Sequence, residues 1–356
     1  MQLAKFVVGA LLGWGWVAMA IPGYGQAAIF EREPACRTLH PASAGGPMPA
    51  NPDVMVLRWF GYASYEAAYR GKVILFDAYY DGSRPPTAAT VGLTAADIQR
   101  ADALFIGHAH FDHIEDAPAV TRKTGALIFV APSGRPYLQQ EGVPAARIHY
   151  VRGGETIPLP GYTVQTALAI HSQFDPGVVA KFHDAYAAAS PPVTAEQQAW
   201  QARVRKLQPK LDPSDPEMDI IHRGTIAYAL TFESGFRLVF RDSPGEISDG
   251  ERKLAASLHA NGGRVDLAIL GYQGPGPSWV MTHVALPMVK LYNPRIFLPG
   301  HQDADGRFPA LALTPLFLAF RDQMPTTRGI APLYRSPICV DTKTDAFYVG
   351  DYVGFH

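Results

Sequence analysis

The sequence predicts a single layered α/β domain, and three observations lead to this prediction. Short apolar runs bounded by glycine or polar residues alternate with helical segments, a pattern typical of strands covered by helices. Hydrophobic residues make up 47% of the 356 residues and charged residues 18%, which provides ample material for a core. Polar side chains follow several of the apolar runs, and open α/β sheets place ligand sites at such strand ends.

The N-terminal segment is predicted to be a signal peptide rather than part of the fold. Residues 1–27 carry one basic residue, Lys5, within the first five positions, continue with an apolar stretch over 6–20 and end with small residues before Ala27. Cleavage after Ala20 is the alternative. Because the apolar stretch is short for a membrane span, we expect export to the periplasm or the medium, with no stable membrane anchor after cleavage.

The exported chain would consist of a lead-in and one domain. Residues 28–53 are rich in Pro, Ala and Gly and predict an extended lead-in, and residues 54–356 form the domain. Cys36 and Cys339 could form a disulfide in an oxidising compartment, and two buried free thiols are the alternative. The net charge of −1 is not that of a nucleic-acid-binding protein, so we expect a small-molecule substrate. Nothing in the sequence indicates an oligomeric state.

Strands and short helices alternate through the first half of the domain. Strands are predicted at 54–60, 65–69, 72–76, 103–106 and 126–130, and helices after Thr94 and over 116–123. Further on, the patterns predict a β-meander over 147–170, a hairpin over 224–240, helices over 249–261, 286–291 and 307–323, and strands over 265–270 and 295–299.

An insertion rich in proline and charge is predicted between the two halves, over 172–222. The sequence Thr194-Ala195-Glu196-Gln197 has the pattern of a capping box and begins a helix that reaches Leu207. This insertion is well placed to overhang a site at the strand ends. A solvated excursion with no role in substrate choice is the alternative.

Three imidazoles and a carboxylate lie within six residues, directly after the strand over 103–106. They occur in the order His108, His110, Asp112 and His113. Imidazole and carboxylate are the ligands that suit zinc and similar divalent cations. In an extended loop His108 and His110 can point the same way, since side chains alternate, and the other two can face a second ion. The spacing therefore predicts two adjacent metal ions.

Four more candidate residues follow predicted strands, namely Asp77, His171, Asp242 and His301. A single His after a strand is usually a hydrogen-bonded structural residue. The prediction depends instead on the number and the order of these residues. Together with the His-rich loop they predict one site at a shared edge of the sheets.

The motif H-x-H-x-D-H, followed by these residues in this order, resembles the signature of the metallo-β-lactamase superfamily over nearly all of residues 54–305. The resemblance implies an αββα sandwich, in which two mixed sheets are flanked by helices and the metals lie at one edge. The segment Trp59 to Ser64, with Asp77 after the next strands, is similar to the branch containing ascorbate-6-phosphate lactonase and N-acylphosphatidylethanolamine phospholipase D. That branch usually has His where this chain has Tyr62.

The resemblance implies a role for each residue of the set. His108, His110 and His171 would hold the first ion, Asp112, His113 and His301 the second, and Asp242 would bridge the two. Asp77 would orient the His-rich loop from behind. Zinc is the default metal for these ligands, and manganese and iron are the alternatives.

The resemblance further implies a hydrolase acting on an ester, lactone, amide or phosphodiester, and the predicted signal peptide makes it an exported one. Two cations about 3.5–4 Å apart would share a water and lower its pKa, and the resulting hydroxide would attack the substrate. Asp112 could orient this water and accept its proton, and is the predicted catalytic residue. A β-lactam hydrolase and a non-catalytic metal- or ligand-binding module of the same fold are the alternatives.

Three further side chains lie in segments that such a fold would bring near the site: His222, His283 and Tyr272. They are possible contacts to the substrate or its leaving group. The alternative for each is an ordinary, partly buried polar residue. We favour that alternative for Tyr272 and leave it open for the two histidines.

Overall fold

The computed structural model of the protein describes residues 29–173, 176–189, 192–207, 214–276, 280–303, 310–344 and 346–350. The predicted signal peptide, residues 1–27, lies outside these ranges, so export and both cleavage sites stay predictions. Within the described ranges, no helix is both long and apolar enough to cross a membrane.

The first of two mixed sheets has eight strands. They are β1 (Val54–Trp59), β2 (Tyr65–Tyr69), β3 (Lys72–Phe76), β4 (Ala103–Phe105), β5 (Leu127–Val130), β6 (Ile148–Tyr150), β14 (Ile338–Asp341) and β15 (Phe347–Val349). Their order across the sheet is β15-β14-β1-β2-β3-β4-β5-β6. Because β3 to β6 are parallel, their carboxyl ends lie at one edge.

The second sheet has seven strands. They are β7 (Thr156–Leu159), β8 (Tyr162–Ala169), β9 (Thr225–Phe232), β10 (Arg237–Arg241), β11 (Leu267–Gly271), β12 (Ile296–Gly300) and β13 (Arg328–Gly329). Their order is β13-β12-β11-β10-β9-β8-β7. Since β8 and β10 are both antiparallel to β9, and β10 to β12 are parallel, the residues after β8, β10 and β12 lie at one edge.

Helices cover the outer faces of both sheets. The described helices are α1 (Phe111–Ile114), α2 (Ala117–Thr124), α3 (Arg135–Gln140), α4 (Pro176–Ala189), α5 (Ala195–Leu207), α6 (Ile220–Arg223), α7 (Asp249–His259), α8 (Leu286–Tyr292) and α9 (Thr314–Gln323). One apolar core lies between the two sheets. Two further cores lie on the outer faces, one between each sheet and its helices. The predicted α/β layering, with two sheets inside and helices outside, is confirmed.

The lead-in is not extended throughout, which corrects the prediction for residues 28–53. It contains short 3₁₀ helices at Pro34–Arg37 and Ala42–Ala44. Pro, Ala and Gly favour tight turns as readily as extended chain, so composition alone did not distinguish the two. Cys36 forms a disulfide with Cys339 of β14 and so joins the lead-in to the first sheet.

Two predicted elements differ from the structure. The β-meander over 147–170 is wrong, because β6 pairs with β5 in the first sheet whereas β7 and β8 pair in the second. The chain changes sheets around Gly153, and the alternation of side chains does not reveal which sheet a strand joins. The helix predicted over 307–323 is observed only at Thr314–Gln323, and residues 304–309 lie outside the described residues.

Candidate metal centre

Asp77, which follows β3, holds both ends of the His-rich loop. Its Oδ1 accepts a hydrogen bond from the amide of Gly107 at 2.8 Å. Its Oδ2 lies 2.6 Å from Nδ1 of His113. Asp77 has a φ of 49°, an uncommon value for a residue with a side chain, and its side chain is fully buried. This geometry lets one carboxylate set the backbone before the loop and the imidazole after it.

The first candidate group consists of three imidazoles that converge on one point. Nε2 of His108 lies 3.0 Å from Nδ1 of His110 and 3.1 Å from Nε2 of His171. The other nitrogens face acceptors: Nδ1 of His108 lies 2.6 Å from Oδ2 of Asp242, and Nδ1 of His171 lies 3.0 Å from the Ser172 carbonyl. Because these acceptors keep the protons on Nδ1, two Nε2 lone pairs face each other. Such lone pairs repel unless a cation lies between them, so this group fits a metal ion.

Electrostatics keeps these three imidazoles neutral. Burial lowers the pKa of His108, and it lowers the pKa of His110 well below the usual value, with the neighbouring imidazoles adding to the effect on His110. Burial, followed by the nearby His108, lowers the pKa of His171 to about 3. Neutral imidazole is the form that binds metals, so the group is ready to bind at neutral pH.

The second candidate group consists of Asp112, His113 and His301, which are all buried. Nε2 of His301 lies 3.1 Å from Oδ2 of Asp112, and Nε2 of His113 lies 3.8 Å from Oδ1 of the same carboxylate. Burial opposes protonation of His113, but the carboxylates of Asp112, Asp77 and then Asp242 raise its pKa well above the usual value. The same excess of negative charge favours a metal cation, and zinc accepts this mixture of imidazole and carboxylate.

Asp242 connects the two groups through the imidazoles of His108 and His113. Its Oδ2 lies 2.6 Å from Nδ1 of His108 and 3.1 Å from Nδ1 of His113, so it contacts the nitrogens on the far side of each ring. His108, His113 and Asp242 also lie close enough together to form a further candidate metal group, and the predicted bridge between two ions stays a prediction. Burial opposes ionisation of Asp242, but the two imidazoles lower its pKa well below the usual value. Its Oδ1 has no hydrogen-bond partner among the described residues, which leaves that oxygen available for a cation.

A glycine that sequence reasoning took only as the end of a strand makes this arrangement possible. A Cβ atom on Gly107 would lie 2.0 Å from Cγ of Asp242. The carboxylate therefore occupies the space that any other residue at 107 would fill. An apolar run that ends in glycine immediately before a ligand was the available signal. The carboxylate that fills the space beside this glycine, Asp242, follows a strand of the other sheet.

A buried pair of charges fixes the segment that carries His301. Asp303 accepts hydrogen bonds from the amide of Tyr62 at 3.0 Å and from Nη2 of Arg84 at 2.8 Å. The amide of His301 in turn donates to the Tyr62 carbonyl at 2.7 Å. Tyr62 and His301 have φ values of 50° and 61°, so two left-handed residues are held together by this network. Sequence reasoning missed Arg84 and Asp303, and the only signal was an acidic residue close after a predicted ligand.

The insertion packs against the segment that carries the ligands. Nε1 of Trp200, on α5, donates to the Ser83 carbonyl at 3.0 Å, and the Trp200 ring lies 5.9 Å from the ring of Phe111. Arg203, one turn further along α5, forms an ion pair with Glu115. Since Phe111 and Glu115 flank Asp112 and His113, one side of α5 packs against the segment that carries two candidate ligands, while most of its other side chains are exposed.

The three possible substrate contacts have different surroundings. Tyr272 is fully buried and its hydroxyl donates to a backbone carbonyl at 3.0 Å, which is the ordinary structural role favoured for it. The side chain of His222 is 62% exposed and its Nδ1 lies 3.0 Å from Oδ2 of Asp219, so its contact is local. His283 is exposed on a π-helical turn. A substrate contact by either histidine stays a prediction.

Comparison with known proteins agrees with the fold. Residues 57–189 match the family model of the metallo-beta-lactamase superfamily. The metallo-hydrolase Igni18 of Ignicoccus hospitalis covers 82% of this chain and is itself fully covered, with a TM-score of 0.55 and 17% identity. CmlA of Streptomyces venezuelae, a diiron β-hydroxylase, is similar with a TM-score of 0.50 and 17% identity. This match covers 80% of this chain and 54% of CmlA. The predicted metallo-β-lactamase fold is therefore confirmed, whereas the lactonase-like branch stays a prediction.

Curated relatives carry the name UPF0173 metal-dependent hydrolase. The protein of Chloroflexus aurantiacus is 35% identical over 105 residues, which is 29% of this chain and 41% of that protein. The protein of Cupriavidus necator is 24% identical over 290 residues, which is 79% of this chain and 83% of that protein. The first two relatives are matched over only 41% of their own length. The names agree with the predicted metallo-hydrolase.

Proposed function

We propose that this protein is an exported metal-dependent hydrolase that acts on a small ester, lactone, amide or phosphodiester and uses two divalent metal ions. The observation that carries the proposal is the convergence of two adjacent ligand groups. In one of them the Nε2 atoms of His108 and His171 lie 3.1 Å apart, with their lone pairs facing each other. His108, His110 and His171 would hold one ion, and Asp112, His113 and His301 the other. The names of the curated relatives support the same reaction class.

Bound divalent cations would polarise a carbonyl or phosphoryl oxygen and make water a nucleophile near neutral pH. Asp112 is the carboxylate of the second group and would orient the attacking water and accept its proton. Asp242 and Asp77 hold the protons of His108 and His113 on Nδ1, so that the Nε2 atoms stay turned toward the site. Helix α5 packs against Phe111 and Glu115 on either side of Asp112 and His113, and from there it would restrict the shape of the substrate.

The disulfide between Cys36 and Cys339 supports export, because such bonds persist in oxidising compartments. N-terminal sequencing of protein recovered from the periplasm or medium tests this part of the proposal. A mature chain that begins after Ala27 or Ala20 is expected. A protein that stays inside the cell with its first residues intact would contradict export.

The catalytic proposal is tested with metal-free protein reloaded with zinc, manganese or iron. The substrates are p-nitrophenyl acetate, γ-butyrolactone, bis(p-nitrophenyl) phosphate and the β-lactam nitrocefin. We expect metal-dependent turnover of at least one of the first three, lost in His110→Ala and retained in His149→Ala, whose imidazole is exposed on β6. Turnover of nitrocefin alone would favour the β-lactam hydrolase. Binding of two ions with equal residual rates in wild type and His110→Ala would favour a non-catalytic module.

A further inference from the structure

We propose that the buried ion pair of Arg241 and Glu251 positions the first ligand group, because it joins the strand ends that carry His171 and Asp242. The inference rests on the proposed function, since it takes these residues to surround metal ions. Both charged side chains are completely buried, with Nε of Arg241 at 2.6 Å from Oε1 of Glu251. Arg241 is the last residue of β10 and directly precedes Asp242.

The Arg241 guanidinium binds the backbone on both sides of the centre. Its Nη2 donates at 3.2 Å to the carbonyl of Ile170, the residue before His171. Its Nη1 donates to the carbonyl of Ser243, the residue after Asp242. Nη2 also donates to the carbonyls of Gly245 at 3.1 Å and Glu246 at 2.9 Å. One planar group therefore sets the position of the chain next to two residues of the centre.

The two strand ends are also in direct contact, so a small shift in one moves the other. The amide of Ser172 donates to Oγ of Ser243 at 2.9 Å. A Cβ atom on Gly245 would lie 1.9 Å from the Ile170 carbonyl oxygen and 2.7 Å from the carbonyl carbon of His171. The loop after Asp242 thus lies against the backbone of His171 with no space to spare, and the guanidinium keeps it there.

Glu251 is itself anchored and gives Arg241 a fixed partner. Its Oε1 accepts a hydrogen bond from the Tyr292 hydroxyl at 3.2 Å, and its Oε2 accepts one from the Ser248 amide at 3.1 Å as part of the capping box of α7. A lysine at 241 would keep the positive charge but lose the rigid planar fork that reaches several carbonyls at once. Arg241→Lys therefore removes the geometry and retains the charge.

A second buried ion pair provides a matched control. Nη1 of Arg58 lies 3.1 Å from Oε1 of Glu66, both side chains are 0% exposed, and Nη2 of Arg58 donates to a backbone carbonyl at 2.6 Å. This pair belongs to β1 and β2 and fixes the lead-in rather than the strand ends of the centre. Arg58→Lys should destabilise the fold in the same way but leave metal binding unchanged.

The experiment is a titration of metal-free protein with zinc against a chromophoric chelator, together with the visible absorption spectrum of the cobalt-loaded protein. We expect Arg241→Lys to weaken binding of one ion at least about tenfold and to change the cobalt spectrum, since outer residues of metal sites typically contribute about 10–100-fold. Arg58→Lys should stay within about twofold of wild type, because it leaves those outer contacts intact.

Each outcome decides the inference. Equal zinc affinity and equal cobalt spectra in Arg241→Lys, Arg58→Lys and wild type would overturn it. If Arg241→Lys does not fold, the same comparison is made between Glu251→Gln and Glu66→Gln, with the same expected difference. A wild-type protein that binds no zinc, manganese or iron would overturn the proposed function. If the wild type binds two ions and Arg241→Lys binds them equally well, only the role of the ion pair is overturned.

Discussion

Replacing Gly107 by alanine should disrupt the metal centre because the space beside this residue is occupied. The new Cβ atom would lie 2.0 Å from Cγ of Asp242 and 2.2 and 2.4 Å from its oxygens. Carbon atoms in contact are about 3.5–4.0 Å apart, so the carboxylate must retreat by about 1.5 Å. Its contacts with His108 at 2.6 Å and His113 at 3.1 Å would then be lost or strained.

The size of the effect follows from two costs. A hydrogen bond to a charged group contributes about 1.5–3 kcal/mol, and overpacking a filled site costs about 1–3 kcal/mol. We therefore expect Gly107→Ala to lower the free energy of unfolding by about 3–5 kcal/mol, measured by urea denaturation of the metal-free protein. Zinc affinity should fall at least about tenfold, because His108 loses the acceptor that orients it.

Gly300 provides the matched control, since it directly precedes His301 as Gly107 precedes His108. A Cβ atom there would meet Cβ of Ala63 at 3.6 Å, an ordinary contact, so Gly300→Ala should stay within about 1 kcal/mol of wild type. In an Asp242→Ala background the obstructing atoms are gone, and Gly107→Ala should become nearly neutral. A cost that is the same in both backgrounds, or no larger than that of Gly300→Ala, would refute the reasoning.

Three other predictions concern pH, the disulfide and the insertion. Burial raises the pKa of Asp116 to about 6. As the pH rises from about 4 to 7, the free energy of unfolding should therefore fall by roughly 3 kcal/mol relative to Asp116→Asn. Urea denaturation at each pH measures this, and parallel pH profiles of the two proteins would contradict it. Cys36→Ser opens a bond that spans 303 residues and should cost about 4 kcal/mol, with no further loss when a reductant is added. Trp200→Ala should weaken the packing of α5 against the segment around Phe111 by about 2 kcal/mol. Amide hydrogen exchange over 195–207 should then be roughly 30-fold faster, and unchanged exchange would contradict this packing.

The residues at the strand ends could be predicted because two local patterns locate them. Apolar runs mark the strands, and the polar residue after each run marks an end. Carboxyl ends of parallel strands meet at one edge whatever the rest of the fold does. Their number and order, together with the family resemblance, then assigned His171 and His301 to the same edge as His108, although long stretches of chain separate them. The structure brings all three to that edge.

The role of each residue within the site could not be predicted in the same way. The bridge expected of Asp242 stays a prediction, and its contacts with Nδ1 of His108 and His113 were not foreseen. The carboxylate of Asp242 reaches Nδ1 of His108 because Gly107, on the opposite sheet, leaves space for it. The ion pair of Arg241 and Glu251 gave no local signal, because a charged residue at a strand end is usually solvated.

The sequence by itself determined most of the elements, the fold class and the residue types at the candidate site. These depend on hydrophobic periodicity and on the backbone conformations of neighbouring residues. Tertiary structure alone decided that β6 leaves β7 and β8 for the other sheet, that Cys36 pairs with Cys339, and that two imidazole lone pairs face each other. The physical reason is that side-chain contacts across packed sheets depend on distances of a few tenths of an ångström between residues far apart in the chain, and no local pattern records them.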